Sequence, residues 1–323
     1  MSQFPKPRIV VSQCLGFAPC RWNGVTIPDE FVRRLEPHVE FAPVCPEVQI
    51  GLGVPRDPVR VVAADGELRL VQPATGKDFT DAMRRFSAEH LASVGVVDGF
   101  ILKSRSPSCG IKDVKVYPGA GKGAPSGKGV GFFAAAVLER FGDLPVEDEG
   151  RLTNFAIRDH FLLRVFALAR LRDALQSGML RDLVAFHARH KLLLMACNQS
   201  ELRVLGRIVA NPDKRPFADL AGEYQAHFRR ALMRAPRTGS VINVLMHSMG
   251  YFSDELSARE KAFFLDSLER YRQRKVPLSA VTAILRSWVV RFENAYLMEQ
   301  TFFDPYPEAL VDLADSGKGR DLG

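Results

Sequence analysis

Residues 8–14 read RIVVSQC. The unbroken apolar run Ile9, Val10, Val11 marks a strand buried on both faces, the pattern of a parallel sheet covered on each side. A cysteine, Cys14, follows at once. The same arrangement recurs outward along the chain. Residues 38–44 form a second strand, and Cys45 comes next. An Asp98-Gly99 turn opens a third over 99–103, and Cys109 stands six residues beyond it. Helical spacing appears between them: 29–35 behind Pro28, where proline is tolerated, and 78–92 with Phe79, Met83, Phe86 and His90 on one face. A third helix is expected over 130–141, after a Gly/Lys/Pro loop at 118–129. Residues 59–63 and 67–71 flank Asp65-Gly66, a hairpin signal. Strands alternating with helices predict an α/β layer with a mostly parallel, Rossmann-like sheet.

The acidic stretch 146–150 (VEDEG) marks a change. Helical periodicity then fills 155–177, 179–195, 201–210, 217–233, 240–249, 257–271 and 278–300. Pro212, Pro216, Pro236 and Pro277 fall between these segments, as helix breakers should. The expectation is an α/β domain over 1–145 followed by an all-α domain over 146–323, with no internal repeat and a loose tail after Phe303. The charge follows the same division. Residues 1–150 hold 18 Lys+Arg against 18 Asp+Glu, and residues 151–323 hold 26 against 19. A neutral front and a basic back suggest a polyanionic partner. No apolar run reaches the roughly 18–20 residues that cross a bilayer, and the opening MSQFPKPRIVVSQC has no leader pattern, so a cytoplasmic protein with no membrane association is expected. Five cysteines in such a chain argue against a disulfide scaffold.

In an open parallel sheet, ligands bind beyond the carboxyl ends of the strands. Three thiols delivered there by separate strands can converge, although gaps of 31 and 64 residues match no local metal motif. Three thiolates would leave a coordination position open, which separates catalytic from structural sites, and thiolates favour zinc, copper(I) or iron–sulfur clusters. The alternative is that the three are small buried apolar groups. Their loops are polar and turn-rich: Cys45 precedes Pro46 and Glu47, and Cys109 lies in Ser104-Arg105-Ser106-Pro107-Ser108-Cys109-Gly110. Backbone N–H groups in such loops suit anions. Cys197 lies in a helical apolar run and reads as core.

The segments SQCLGFAPCRWNG (12–24), APVCPEVQIGLGVPR (42–56), ATGKDFT (74–80) and LKSRSPSCG (102–110) resemble the blocks of the thiouracil desulfidase (TudS) family. Residues 190–196, 244–257 and 288–307 are similar to the YbgA-type helical domain, and the fusion resembles the RudS type, whose substrate is 4-thiouridine in tRNA. The resemblance implies a [4Fe–4S] cluster on Cys14, Cys45 and Cys109 with one iron not bound by protein. It makes Glu47 the acid/base group and a serine of SPSC a second polar group, Ser106 in preference to Ser108. Cys20 is then a non-ligand, and Trp22-Asn23-Gly24 stands where a Tyr-Asp-Gly turn is expected. The implied reaction is non-redox, hydrolytic removal of sulfur from a thiolated base. Ser108, Lys103 and Arg105 are candidate substrate contacts; Lys112, Lys115, Lys122 and Lys128 could meet phosphates. The loop GAGKGAPSGKG (119–129) is not a P-loop. Arg229, Arg230, Arg234 and Arg237, with Arg270, Arg272, Arg274 and Lys275 and the nearby Tyr251, Phe252 and Tyr271, read as an RNA face with stacking groups, whereas Phe263, Phe264 and Trp288 read as core. A desulfidase of free thiouracil or another small thiolated compound, and a non-catalytic RNA-binding or redox-sensing iron–sulfur protein, remain the competing readings; oligomeric state is not legible.

Overall fold

The computed structural model describes residues 4–64, 66–121 and 123–315. The chain divides into two compact units, one running through Ala169 and resuming at Ala309, the other Arg170–Glu308.

Among its described residues the first unit carries nine strands: β1 (Arg8–Ser12), β2 (Glu40–Val44), β3 (Arg60–Ala64), β4 (Glu67–Gln72), β5 (Lys77–Asp78), β6 (Gly99–Leu102), β7 (Val114–Tyr117), β8 (Gly127–Gly129) and β9 (Val146–Asp148). Its helices are α1 (Glu30–Leu35), α2 (Pro46–Gln49), α3 (Thr80–Ser93) and α4 (Phe132–Phe141), and α5 (Phe155–Gln176) leads out of it. One sheet has the order β2-β1-β6-β9, parallel throughout. Ile9 pairs with both Phe41 and Gly99, so β1 lies inside the sheet. Ile9, Val10, Val11, Phe100, Ile101 and Leu102 have no exposed surface, each burial contributing roughly 1.5–3 kcal/mol. The second sheet, β5-β4-β3-β7-β8, is mixed. Asp29 caps α1 by accepting the Val32 N–H at 2.9 Å. The hairpin forms, with Ala64 opposite Glu67 and Gly66 at φ +79; Asp65 lies outside the described residues.

Two strands depart from expectation. Residues 127–129, read as loop, pair antiparallel with β7, because backbone pairing needs no side-chain pattern. Residues 146–148, read as a charged boundary, are the edge strand of the parallel sheet against β6; an edge tolerates charge. The tail is also held more firmly than expected. Arg158 donates to the carbonyls of Asp312 and Ala314, each at 2.6 Å, Arg34 pairs with Asp312, and Leu310 is buried.

The second unit is all helix: the end of α5, then α6 (Leu180–Cys197), α7 (Gln199–Ala210), α8 (Phe217–Ala231), α9 (Thr238–Met249), α10 (Ala258–Arg272), α11 (Leu278–Arg291) and α12 (Ala295–Met298). Phe252, Phe264, Trp288 and Leu285 join one apolar cluster. The periodicity over 278–300 does not give one helix. Glu293 turns to φ +49 and the Asn294 side chain accepts the Leu297 N–H, starting a new turn. Phe263 is exposed at 59%, not core, and Phe252 is buried at 1%, so it is no stacking group. Among the described residues no helix is long and apolar enough to cross a membrane.

Candidate active site at the strand ends

Cys14 follows β1, Cys45 follows β2 and caps the start of α2, and Cys109 lies in the loop after β6. All three line one cavity of about 310 Å³, at the small end of ligand pockets. Cys20, Glu47, Arg56, Lys103, Arg105 and Ser106 line it too. The expected thiols therefore face a common space, and a fourth thiol joins them.

The loop bearing Cys109 is fixed from two sides. The Ser106 hydroxyl oxygen accepts the backbone N–H groups of Ser108 and Cys109 at 3.2 and 3.1 Å. The first turn of α4 closes over the loop: Gly131, Phe132 and Ala134 donate their N–H groups to the carbonyls of Gly110, Pro107 and Ser108 at 2.8, 3.1 and 3.0 Å. A Cβ on Gly131 would stand 2.6 Å from the Ser108 carbonyl, so glycine permits the approach.

Glu47 is the most constrained acid in the site. Arg56 donates to its Oε2 from Nε at 3.0 Å and from Nη2 at 2.5 Å, and Ser108 Oγ donates to Oε1 at 2.9 Å. The Glu47 and Arg56 side chains are only 12% and 5% exposed. Arg56 also donates to the carbonyls of Cys20 and Gly53, so one guanidinium ties the acid to the loop that carries Cys20. Lys103 pairs with Glu149, which also accepts from the N–H and hydroxyl of Ser104. Arg105 is exposed at the rim with φ +58. Lys112 and Lys115 are exposed, Lys128 pairs with Asp113 at 2.9 Å, and Lys122 lies outside the described residues.

Burial, reinforced by Cys45 nearby, pushes the Cys14 thiol up to about 11 and the Cys20 thiol up to about 12. Burial lifts Cys109 well above its ordinary value, against a hydrogen bond from Ser12. Thiols so placed lose their protons when a cation compensates the thiolate. Among the described residues no group of three or more His, Cys, Asp or Glu side chains is set to chelate a single ion; the thiols line a cavity wall instead. The donor chemistry, three thiols with cationic Arg21, Lys103 and Arg105 around them, suits a soft, anionic, thiolate-bound group. Cys197, in the other unit, is pushed up to about 12 by burial.

Sequence reasoning missed Arg56 and Glu149. Arg56 stood in view, nine residues after Glu47, but no spacing rule says that a loop folds back onto an acid. Glu149 was hidden in a stretch read as a boundary. Of the proposed RNA face, Tyr251 is exposed and stacks on Tyr296 at 5.4 Å, Tyr271 packs against the apolar cluster, Arg230 meets Glu201 at 3.5 Å, and Arg272 meets Glu269 at 2.7 Å.

The first unit is thus an α/β scaffold that presents thiols and one clamped carboxylate in a cavity at its strand ends. Residues 9–149 match the family model described as 2-thiouracil desulfurase, and residues 191–307 match a protein of unknown function (DUF1722). The uncharacterised protein YbbK of Bacillus subtilis is 34% identical over 142 residues, 42% of this chain and 91% of YbbK. The uncharacterised protein YbgA of Escherichia coli is 29% identical over 163 residues, 49% of this chain and 95% of YbgA. A solved structure, the [4Fe–4S]-dependent thiouracil desulfidase TudS, is 31% identical, covering 46% of this chain and 93% of that one at a TM-score of 0.36. Through its front half the chain belongs to the 2-thiouracil desulfurase family.

Proposed function

We propose that the protein converts 4-thiouridine in tRNA to uridine and sulfide, without net redox change, using a [4Fe–4S] cluster held by Cys14, Cys45 and Cys109 with one iron free of protein donors. The observation that carries this reading is the Glu47 carboxylate, fixed by Arg56 and Ser108 in the wall of a cavity lined by those three thiols. When bound, the cluster supplies a soft Lewis acid for a thiocarbonyl sulfur.

The chain's own residues do the rest. Glu47 accepts a proton from the water that attacks the ring carbon and returns one as sulfide leaves. Arg56 and Ser108 keep the carboxylate pointed inward, so little reorganisation is needed at the moment of reaction. Ser106, in the cavity wall, hydrogen-bonds the base or the water, and Lys103, held by Glu149 and Ser104, lends positive charge to that wall, while Arg105 at the rim meets the neighbouring phosphate. The helical unit contributes RNA affinity: residues 170–308 hold 21 Lys+Arg against 15 Asp+Glu, and Tyr251 offers an exposed ring for stacking. A reducing cytoplasm is the compartment that keeps five unpaired cysteines as thiols.

The test is anaerobic reconstitution of the full chain, incubation with tRNA and with free thiouracil, and digestion to nucleosides. Loss of 4-thiouridine from tRNA is the expected result. Unchanged 4-thiouridine in fully iron-loaded protein overturns the reading, and faster turnover of free thiouracil than of tRNA moves it to the small-molecule substrate. Binding to tRNA should fall with salt at a log–log slope of roughly −0.7 for each single-strand phosphate met.

A further inference from the structure

Cys20 has no role in the reaction above, yet it stands inside the site. Its side chain is 6% exposed and lines the same cavity as Cys45. The Cys45 thiol donates to the Cys20 carbonyl at 3.8 Å. Neither residue lies within a strand or helix: Cys20 is in an irregular loop and Cys45 is the residue before α2. Arg56 grips the Cys20 carbonyl at 3.0 Å while binding Glu47, two residues after Cys45. One guanidinium thus holds the two loops side by side. Loop backbone on both sides lets the two sulfurs approach to a disulfide length of about 2.05 Å.

We propose that Cys20 and Cys45 form a reversible disulfide when the cavity holds no cluster, with a low-molecular-weight disulfide such as oxidised glutathione as the oxidant. Cys45 is the more accessible of the pair and attacks first. Its thiolate breaks the glutathione S–S bond, making a mixed disulfide and releasing one glutathione thiol. The Cys20 thiolate then attacks the Cys45 sulfur and releases the second. Two protein thiols are oxidised, one disulfide is reduced to two thiols, and the protons pass to the departing sulfurs. The bond withdraws Cys45 from the donor set, so the oxidised chain cannot rebuild a cluster until a thiol reduces it. It also spares Cys45 from irreversible over-oxidation. The consequence for cluster assembly rests on the donor set proposed above; the pairing rests on the geometry alone.

The experiment treats metal-free, full-length protein with oxidised glutathione, alkylates the remaining thiols, and maps cross-links by mass spectrometry of an unreduced digest. The expected result is loss of two free thiols per chain, a dominant Cys20–Cys45 link, and iron uptake that is blocked until dithiothreitol is added. Cys20→Ser should leave Cys45 as a stable mixed disulfide and leave iron uptake by the reduced chain unchanged. A Cys14–Cys45 or Cys45–Cys109 link in the native sequence, or mixed disulfides alone, overturns the proposal, and this result does not depend on how the variant folds. Iron analysis of the reduced native chain separates the two readings. No uptake there defeats the cluster assignment, whereas uptake without the mapped link defeats only the disulfide.

Discussion

Both oxygens of Glu47 are occupied, Oε2 by Arg56 and Oε1 by Ser108. Glu47→Gln must either aim an N–H group at the Arg56 guanidinium or have the Ser108 hydroxyl turn round to accept, and it removes the base. A fall in turnover of about 10²–10⁴-fold is expected, with iron content unchanged; iron analysis beside a 4-thiouridine assay checks this, and retained turnover would take the acid/base role away. Arg56→Met leaves the nearly buried carboxylate unpaired, a loss of about 3–5 kcal/mol measurable by urea unfolding. Arg56→Lys should recover part of that stability but less of the turnover, because a single ammonium cannot hold Glu47 and the Cys20 and Gly53 carbonyls at once. At this scale the convergence of the three cysteines and Glu47 on one cavity was legible, since each cysteine comes after a strand in a recognisable block and Glu47 stands two residues from one of them. Ser106 and Ser108 could not be told apart by sequence: one oxygen accepts two backbone N–H groups of its own loop while the other hydroxyl reaches Glu47, 61 positions away.

The first turn of α4 seats the Cys109 loop through three N–H to carbonyl contacts. Gly131→Ala places a methyl group against the Ser108 and Ser106 carbonyls at 2.6 and 2.8 Å. Backbone on both sides leaves no cheap relief, so a loss of about 1–3 kcal/mol is expected, together with poorer cluster retention. A lower melting temperature and weaker cluster absorbance would show it; unchanged values would mean that the loop is not set by this helix. Elements with strong periodicity were legible: the buried run of β1, the hairpin, and α7, α8 and α10, whose starts and ends carry their own signals, such as the Ser257–Glu260 capping box. Elements made by backbone pairing were not. The Gly-Lys-Gly of β8 and the charged β9 have no pattern to announce a strand, and they form because β7 and β6 offer unpaired edges.

The helical unit carries an acid-sensitive pair. His190 donates its Nδ1–H to the Phe186 carbonyl at 2.8 Å, which leaves Nε2 buried without a partner. Burial, with Arg170 nearby, pushes its pKa down to about 3; burial and Lys191 push His187 down to about 4. Below about pH 6.5 the unfolded chain takes up these protons and the folded chain does not, so stability is complete above that pH and declines as the pH falls towards 3. For His190 the slope is about 1.4 kcal/mol per pH unit. Urea unfolding at pH 7 and pH 5 should show the decline, and His190→Leu should flatten it; an unaltered slope in the variant would clear His190. At the scale of the whole chain, the sequence by itself determined the order of the architecture, α/β and then all-α, because hydrophobic periodicity and proline placement are local properties. It also determined which thiols end up at strand ends, since strand and cysteine are adjacent in the chain. Only the tertiary structure decided that the chain from Ala309 rejoins the first unit, that Arg56 and Ser108 hold Glu47, that Glu149 takes Lys103, and that the Cys45 thiol meets the Cys20 carbonyl. Those are contacts between loops far apart in sequence, and no local preference encodes which loop another will meet once the sheet has closed.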